Sequence, residues 1–383
     1  MINLIAGSCL IALTYYWIRS YDKNVSKLKK VFENCGLKAG DQIPMFSKKR
    51  GNVYLFRLPP GLTADAVKDK KAAFEDAFPD KAIDISFKKA LRILITDPLP
   101  ESIPYDESEA KGWSIPFGKD LEKVIRHNFS HYPHLLVAGM TRYGKSVLLS
   151  LIICMLLKFK PNKTKLVLID LKGGLELNQY SKLKQCKAFA KNVDEAYEVL
   201  KQLKREVETR QKIFLQRGYK KIEEAKEPFE RVFIIIDEAA QLNSHGIKGD
   251  EGKMLKECER LLAYCAQIGA GMGYHLIYAT QYPTMQTLPQ QVKNNCDARI
   301  SFQLGSGTAS RVVFDETDKA EKLPHIRGRA IYRTDKDVEL QVFKMTDQQV
   351  MDIIEANKRE EDDPIGPSDS EDNERGADTF YFE

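Results

Sequence analysis

At 383 residues, 43% hydrophobic and 30% charged, the chain exceeds a single small domain and has the apolar material for a sizeable core. Seven cysteines scattered without a CxxC pair exclude a disulfide-framed secreted scaffold and read as reduced structural thiols of a cytosolic compartment. The formal charge of +5 conceals a split: residues 359–383 hold two arginines against ten acidic residues, so this tail carries −8 and the body +13, a balance suited to a polyanionic partner or an anionic membrane surface.

Residues 2–18, "INLIAGSCLIALTYYWI", carry no charge. As a helix they reach ~25 Å, just short of a ~30 Å hydrocarbon core. Tyr15, Tyr16 and Trp17 stand where interfacial aromatics belong, and Arg19, Lys23, Lys27, Lys29 and Lys30 follow. The positive flank predicts a single-pass anchor (residues 1–20) in a cell membrane, with the remainder on the cytoplasmic side behind a basic juxtamembrane segment (21–51). The competing expectation is a short helix packed on the protein's own core.

Residues 52–104 read strand "VYLFRL", turn, helix "ADAVKDKKAAFEDAF", then strands "AIDISF" and "ALRILIT": a small α/β domain. A Pro-rich acidic linker follows. His127, His131 and His134 in "HNFSHYPH" are closely spaced, as metal ligands are, but no second ligand cluster accompanies them.

Over residues 105–358 the runs "HLLVA", "KLVLID", "VFIIID", "HLIYAT" and "RISFQL" are continuously apolar, as in strands covered by helices on both faces. They predict a mostly parallel sheet in a layered α/β domain. Between them lie a fully apolar helix, "SVLLSLIICMLLKF", and a long amphipathic one with basic residues such as Lys201, Arg205 and Arg210. "GRAIYRTDKDVELQVF" reads as a hairpin, and Thr346 with Gln349 as a capping box opening a last helix. The acidic tail reads as disordered and as an inert solubilising segment, with docking through its Phe380, Tyr381 and Phe382 tip as the alternative.

Gly139, Met140, Thr141, Arg142, Tyr143, Gly144, Lys145 and Ser146 match GxxxxGK[ST] between an apolar strand and a helix, with Val147 next. In that setting glycines let backbone N–H groups surround an anion, Lys145 reaches the β- and γ-phosphates of ATP, and the Ser146 hydroxyl ligates Mg²⁺. As a solvent-facing loop residue, Lys145 is expected to be dispensable to the fold. Asp237 ends an apolar strand and suits the Mg²⁺ sphere, and the following Glu238 suits a base for the attacking water. Gln281, closing "HLIYATQ", is placed to touch the γ-phosphate or that water.

Together with "WSIPFGKD", "LVLIDLKGGLELNQY" and "VKNNCDARISFQLGSGTASRVVFDETDKAEKL", these stretches resemble the FtsK/SpoIIIE family of ring-forming DNA translocases, in the family's order. The resemblance implies a RecA-like P-loop NTPase motor, a homo-hexamer around DNA, and ATP hydrolysis at subunit interfaces. Arg299 and Arg311 fall on the family's arginines, one of which reaches a neighbour's γ-phosphate. Arg142 and Tyr143 replace small residues and are expected to stack on or crowd the nucleotide. Lys248 and Lys253 are nominated for DNA contact on a loop, "NSHGIKGDEGK". A short chain with one crossing resembles the coupling proteins of Gram-positive conjugative elements, which bring a DNA–relaxase complex to a secretion channel, with the acidic tail binding an adaptor. A protein-export ATPase of the same motor family and a chromosome or plasmid DNA pump are the alternatives.

Overall fold

The computed structural model describes residues 22–105, 112–315 and 317–359. The expected anchor at 2–18 and the tail from residue 360 lie outside them, and among the described residues no helix is long and apolar enough to cross a membrane. The fold divides after Pro100 into two units.

The first unit opens with α1 (Lys23–Asn34), capped by the Asp22 carboxylate, which accepts from Asn24 N–H at 2.9 Å. Its buried residues, Val25, Leu28, Val31 and Phe32, recur at helical spacing. Then β1 (Met45–Arg50), β2 (Val53–Arg57), α2 (Ala64–Lys68), α3 (Lys71–Ala77), β3 (Ala82–Phe87) and β4 (Leu91–Thr96) follow, the strands forming an antiparallel sheet in the order β1-β2-β4-β3. Phe32 meets Phe56 and Phe74 edge-on at 5.1 and 5.4 Å. The segment read as juxtamembrane therefore supplies part of this unit's core: its lysines lie on the outer face of a helix whose inner face is apolar. The single helix expected over residues 64–78 is two, broken at Asp69 and Lys70, with Val67 and Phe74 fully buried on either side.

The second unit contains β5 (Ile103–Pro104), β6 (Ser114–Lys119), β7 (Val124–Asn128), β8 (Leu135–Ala138), α4 (Lys145–Phe159), β9 (Thr164–Asp170), β10 (Cys186–Ala190) and α5 (Val193–Arg217). It continues with β11 (Arg231–Asp237), α6 (Gly249–Gly269), β12 (Tyr274–Thr280), α7 (Gln290–Asn295), β13 (Ala298–Phe302), α8 (Gly307–Phe314), β14 (Arg329–Arg333), β15 (Asp337–Lys344) and α9 (Asp347–Ala356). The main sheet runs β10-β9-β11-β12-β8-β13-β14-β15-β6-β7, with β5 beside β15. From β10 to β13 every pairing is parallel, and from β13 to β7 every one is antiparallel. The sheet is thus mixed, with the expected parallel set at its heart and an antiparallel extension built from the hairpin and from β6 and β7.

Two apolar layers clasp it. Along β11, Phe233 and Ile235 pack with the interior of α4, while Val232, Ile234 and Ile236 pack with α5 and α6. Both faces being covered, β11 is buried throughout, which is why its sequence does not alternate. Arg210, read as part of a basic outer face, is instead buried: its Nη1 donates to the carbonyls of Glu230 and Met272, both at 2.9 Å, and its guanidinium lies over Tyr274 and Phe229. Of the closely spaced histidines, His131 is exposed and the other two serve packing. His127 stacks on Phe117 and bonds the Tyr332 hydroxyl at 2.9 Å, whereas His134 donates from Nε2 to Ala266 O at 2.7 Å and accepts Leu276 N–H at Nδ1. The capping box of Thr346 and Gln349 is formed in full.

Candidate functional site

The turn from β8 into α4 lies at the carboxyl edge of the parallel strands, and its glycines are required by both conformation and space. Gly144 has φ +121°, and a Cβ there would stand 2.9 Å from the Phe302 ring and 3.2 Å from Gly328 Cα; at Gly139 it would stand 2.7 Å from Phe302 Cβ. Gly144 also brings no side chain to cap α4. The N–H groups of the first turn, which have no acceptor within the helix, are therefore left for an external anion, aided by the positive end of the helix dipole.

Tyr143 is engaged within the chain. Its hydroxyl bonds His325 Nδ1 at 2.8 Å and its carbonyl accepts Gly328 N–H at 2.8 Å, so it braces the turn against the chain leading into β14. Arg142 is exposed with φ +74°.

Lys145 is not solvent-facing. It is 4% exposed and forms an ion pair with Asp237, itself 1% exposed at the end of β11. The second Asp237 oxygen, Oδ2, is buried without a hydrogen-bond partner. An unpartnered carboxylate oxygen beside the first turn of α4, where Ser146 offers a hydroxyl, is the donor chemistry of a hard cation, so these residues fit Mg²⁺.

Glu238 takes a left-handed conformation, φ +56°, that turns the chain out of β11 and leaves its carboxylate among donors. Its Oε1 accepts from Thr280 Oγ1 and from Gln281 N–H, each at 3.2 Å, and Lys172 Nζ lies 3.1 Å from Oε2. Thr141 Oγ1 donates to the Gln281 side-chain oxygen at 2.8 Å. The structure thereby brings Thr141, Lys145, Asp237, Glu238 and Gln281 together, with β12 standing between β8 and β11. Chemically, the set offers a phosphate cradle, an oxygen donor pair for a cation, and a carboxylate adjoining both.

Four nominated residues lie apart from that set. Arg299 is engaged within its own chain, donating to Cys296 O at 3.1 Å, Val313 O at 2.8 Å and Asp315 Oδ2 at 2.7 Å. Arg311 lies exposed on α8. Lys248 precedes α6 as its N-cap, and Lys253 is on that helix rather than in a loop, paired with Asp250 at 2.8 Å on an exposed face. Sequence reasoning assigned nothing to Lys172; the glycine pair in "DLKGGLEL" was its only signal.

The FtsK/SpoIIIE family profile matches residues 104–317, more than half of the chain. The DNA translocase FtsK of Halalkalibacterium halodurans is 29% identical over 371 residues, covering 88% of this chain and 45% of that protein. The chain thus spans less than half the length of the curated relatives it matches. Among solved structures, the pCW3 conjugation coupling protein TcpA, in its monomer form with ATPγS, superposes with TM-score 0.64 at 24% identity, covering 88% of this chain and 100% of that one. The cytoplasmic domain of the Type VII secretion ATPase EccC of Thermomonospora curvata gives 0.54 at 20% identity, covering 69% and 32%. These likenesses are of fold. The profile's span runs from β5 through the glycine turn, Asp237, Glu238 and Gln281 to α8, and on that match the chain belongs to the FtsK/SpoIIIE family.

Proposed function

We propose that the chain is an ATP-hydrolysing motor that moves DNA. The observation that carries this reading is the convergence of Lys145, Asp237, Glu238 and Gln281 on the open first turn of α4. On binding, the triphosphate takes Lys145 away from Asp237 and occupies the N–H groups of the turn. Asp237 and Ser146 would hold Mg²⁺, which when bound would neutralise charge on the β- and γ-phosphates. Glu238 takes a proton from the attacking water as its oxygen bonds to the γ-phosphorus and the bond to the ADP oxygen breaks. Gln281, linked to Thr141 on one side and Glu238 on the other, registers the loss of the γ-phosphate.

The finer reading is a membrane-anchored homo-hexamer that delivers DNA or a DNA–relaxase complex to a conjugative secretion channel. The apolar run at 2–18 supports the anchor, the exposed Arg311 supports a residue given to a neighbour's γ-phosphate, and the fold of TcpA, described as a conjugation coupling protein, supports the process. ATP turnover with and without DNA is the test. Strong stimulation by DNA supports translocation, while indifference to DNA with stimulation by a peptide favours polypeptide export. Removing residues 1–20 should release the protein from membranes, and retention there refutes the anchor.

A further inference from the structure

We propose that Lys172 is a removable cover on Glu238, holding its carboxylate out of use until the loop after β9 shifts. The proposal rests on the reading of Glu238 as the group that receives the water's proton.

The placement comes from register. β9 and β11 are parallel neighbours whose last residues, Asp170 and Asp237, are paired, so both strands deliver their chains to the edge at the same level. Asp170 is fully buried and organises the loop leaving β9: its carboxylate accepts N–H groups of Lys172 at 3.2 Å, Glu176 at 2.8 Å and Leu177 at 2.9 Å. This short loop turns through Gly173 and Gly174, both at positive φ, and aims Lys172 at Glu238.

The two oxygens of Glu238 differ in their partners. Oε1 is held by a fully buried threonine hydroxyl and a backbone N–H, neither of which can withdraw without moving β12. Oε2 faces Lys172 Nζ at 3.1 Å, off the line of a well-formed hydrogen bond, so the attraction is one of charge. A water about to lose a proton must hydrogen-bond one of these oxygens, and the ammonium stands on the side that has no fixed donor. Lys172 is also able to leave: its side chain is 34% exposed against 6% for Glu238, and the adjoining Gly173 has open space around it. Lys172 is thus a positioning residue, acting through Glu238.

The test compares Lys172→Met, which keeps the stem and removes the charge, with Lys172→Arg and Glu238→Gln in the full chain, using ATP with Mg²⁺ and linear duplex DNA. A pair of this exposure is weak, so Lys172→Met should raise turnover without DNA about fivefold while KM for ATP stays near the wild-type value. Stimulation by DNA should shrink in proportion, and Lys172→Arg should restore the low basal rate. A merely structural lysine would lower turnover or raise KM instead. If Glu238→Gln is inactive and Lys172→Met is no faster than wild type, the cover is refuted while the base assignment stands. If Glu238→Gln turns over ATP normally, the base assignment falls and the cover with it.

Discussion

Lys145→Ala removes the ammonium of the phosphate loop, and here it should do more than silence it. Lys145 and Asp237 are 4% and 1% exposed and neutralise one another. Truncating the lysine leaves a buried carboxylate without its counter-ion, a defect of about 3–5 kcal/mol. A unit of roughly 250 residues loses about 2 °C of melting temperature per kcal/mol, so the nucleotide-free protein should melt ~6–10 °C lower. Asp237→Asn, which strands the ammonium instead, should cost a similar amount. The double change Lys145→Ala with Asp237→Asn removes both charges and should recover much of the loss, since no ion remains uncompensated. Thermal and urea unfolding of the three variants without nucleotide form the assay, read separately from activity, which all three abolish. A double variant that falls by the sum of the two singles refutes the coupling, and Lys145→Ala melting with wild type refutes the buried pair.

The two arginines should separate cleanly. Arg311→Ala should reduce ATP turnover at least about tenfold at unchanged stability if it serves a neighbour, whereas Arg299→Ala should lower stability by about 2 kcal/mol through its three lost acceptors; the opposite pattern in kcat and melting reverses the assignment. Arg210→Ala should cost roughly 2–4 kcal/mol in urea unfolding, because one buried and one half-buried carbonyl lose their donor; an unchanged midpoint contradicts the burial described for it. Burial pushes His127 down to about 3 and His134 down to about 4 from an ordinary 6.5, so both stay neutral in the fold. Their depressed values give a stability that is intact above pH 6.5 and is lost as pH falls toward them. By pH 5 each should withdraw on the order of 2 kcal/mol, seen as a lowered urea midpoint that His127→Phe makes shallower in pH; a midpoint flat between pH 7 and 5 refutes this.

The parallel strands and the phosphate loop were legible because burial on both faces leaves an unmistakable apolar run, and because two glycines, Lys145 and Ser146 together serve little else. The capping box at Thr346 was legible for a similar reason, being entirely local. What escaped was set by register or by interrupted pattern. Lys172 meets Glu238 only because β9 and β11 end level, which no local pattern encodes. The β6 and β7 pair hides behind Pro116 and a register shift beside Gly118, which break the alternation a strand would show. The core face of α1 was masked by the lysines around it, and Lys145 looked solvent-facing because its partner lies far along the chain.

The strand between the phosphate loop and the acidic pair has a dimensional consequence. β8 and β11 are second neighbours across β12, and at about 4.8 Å per strand they stand nearly ~10 Å apart, roughly the width of a phosphate with one water alongside. Were they adjacent, carboxylate and phosphate would be pressed like charge on like charge. The clearance is fixed by backbone hydrogen-bond geometry, so no side-chain exchange on either strand can widen or narrow it. Only the loops that line the slot can alter how it is filled from above.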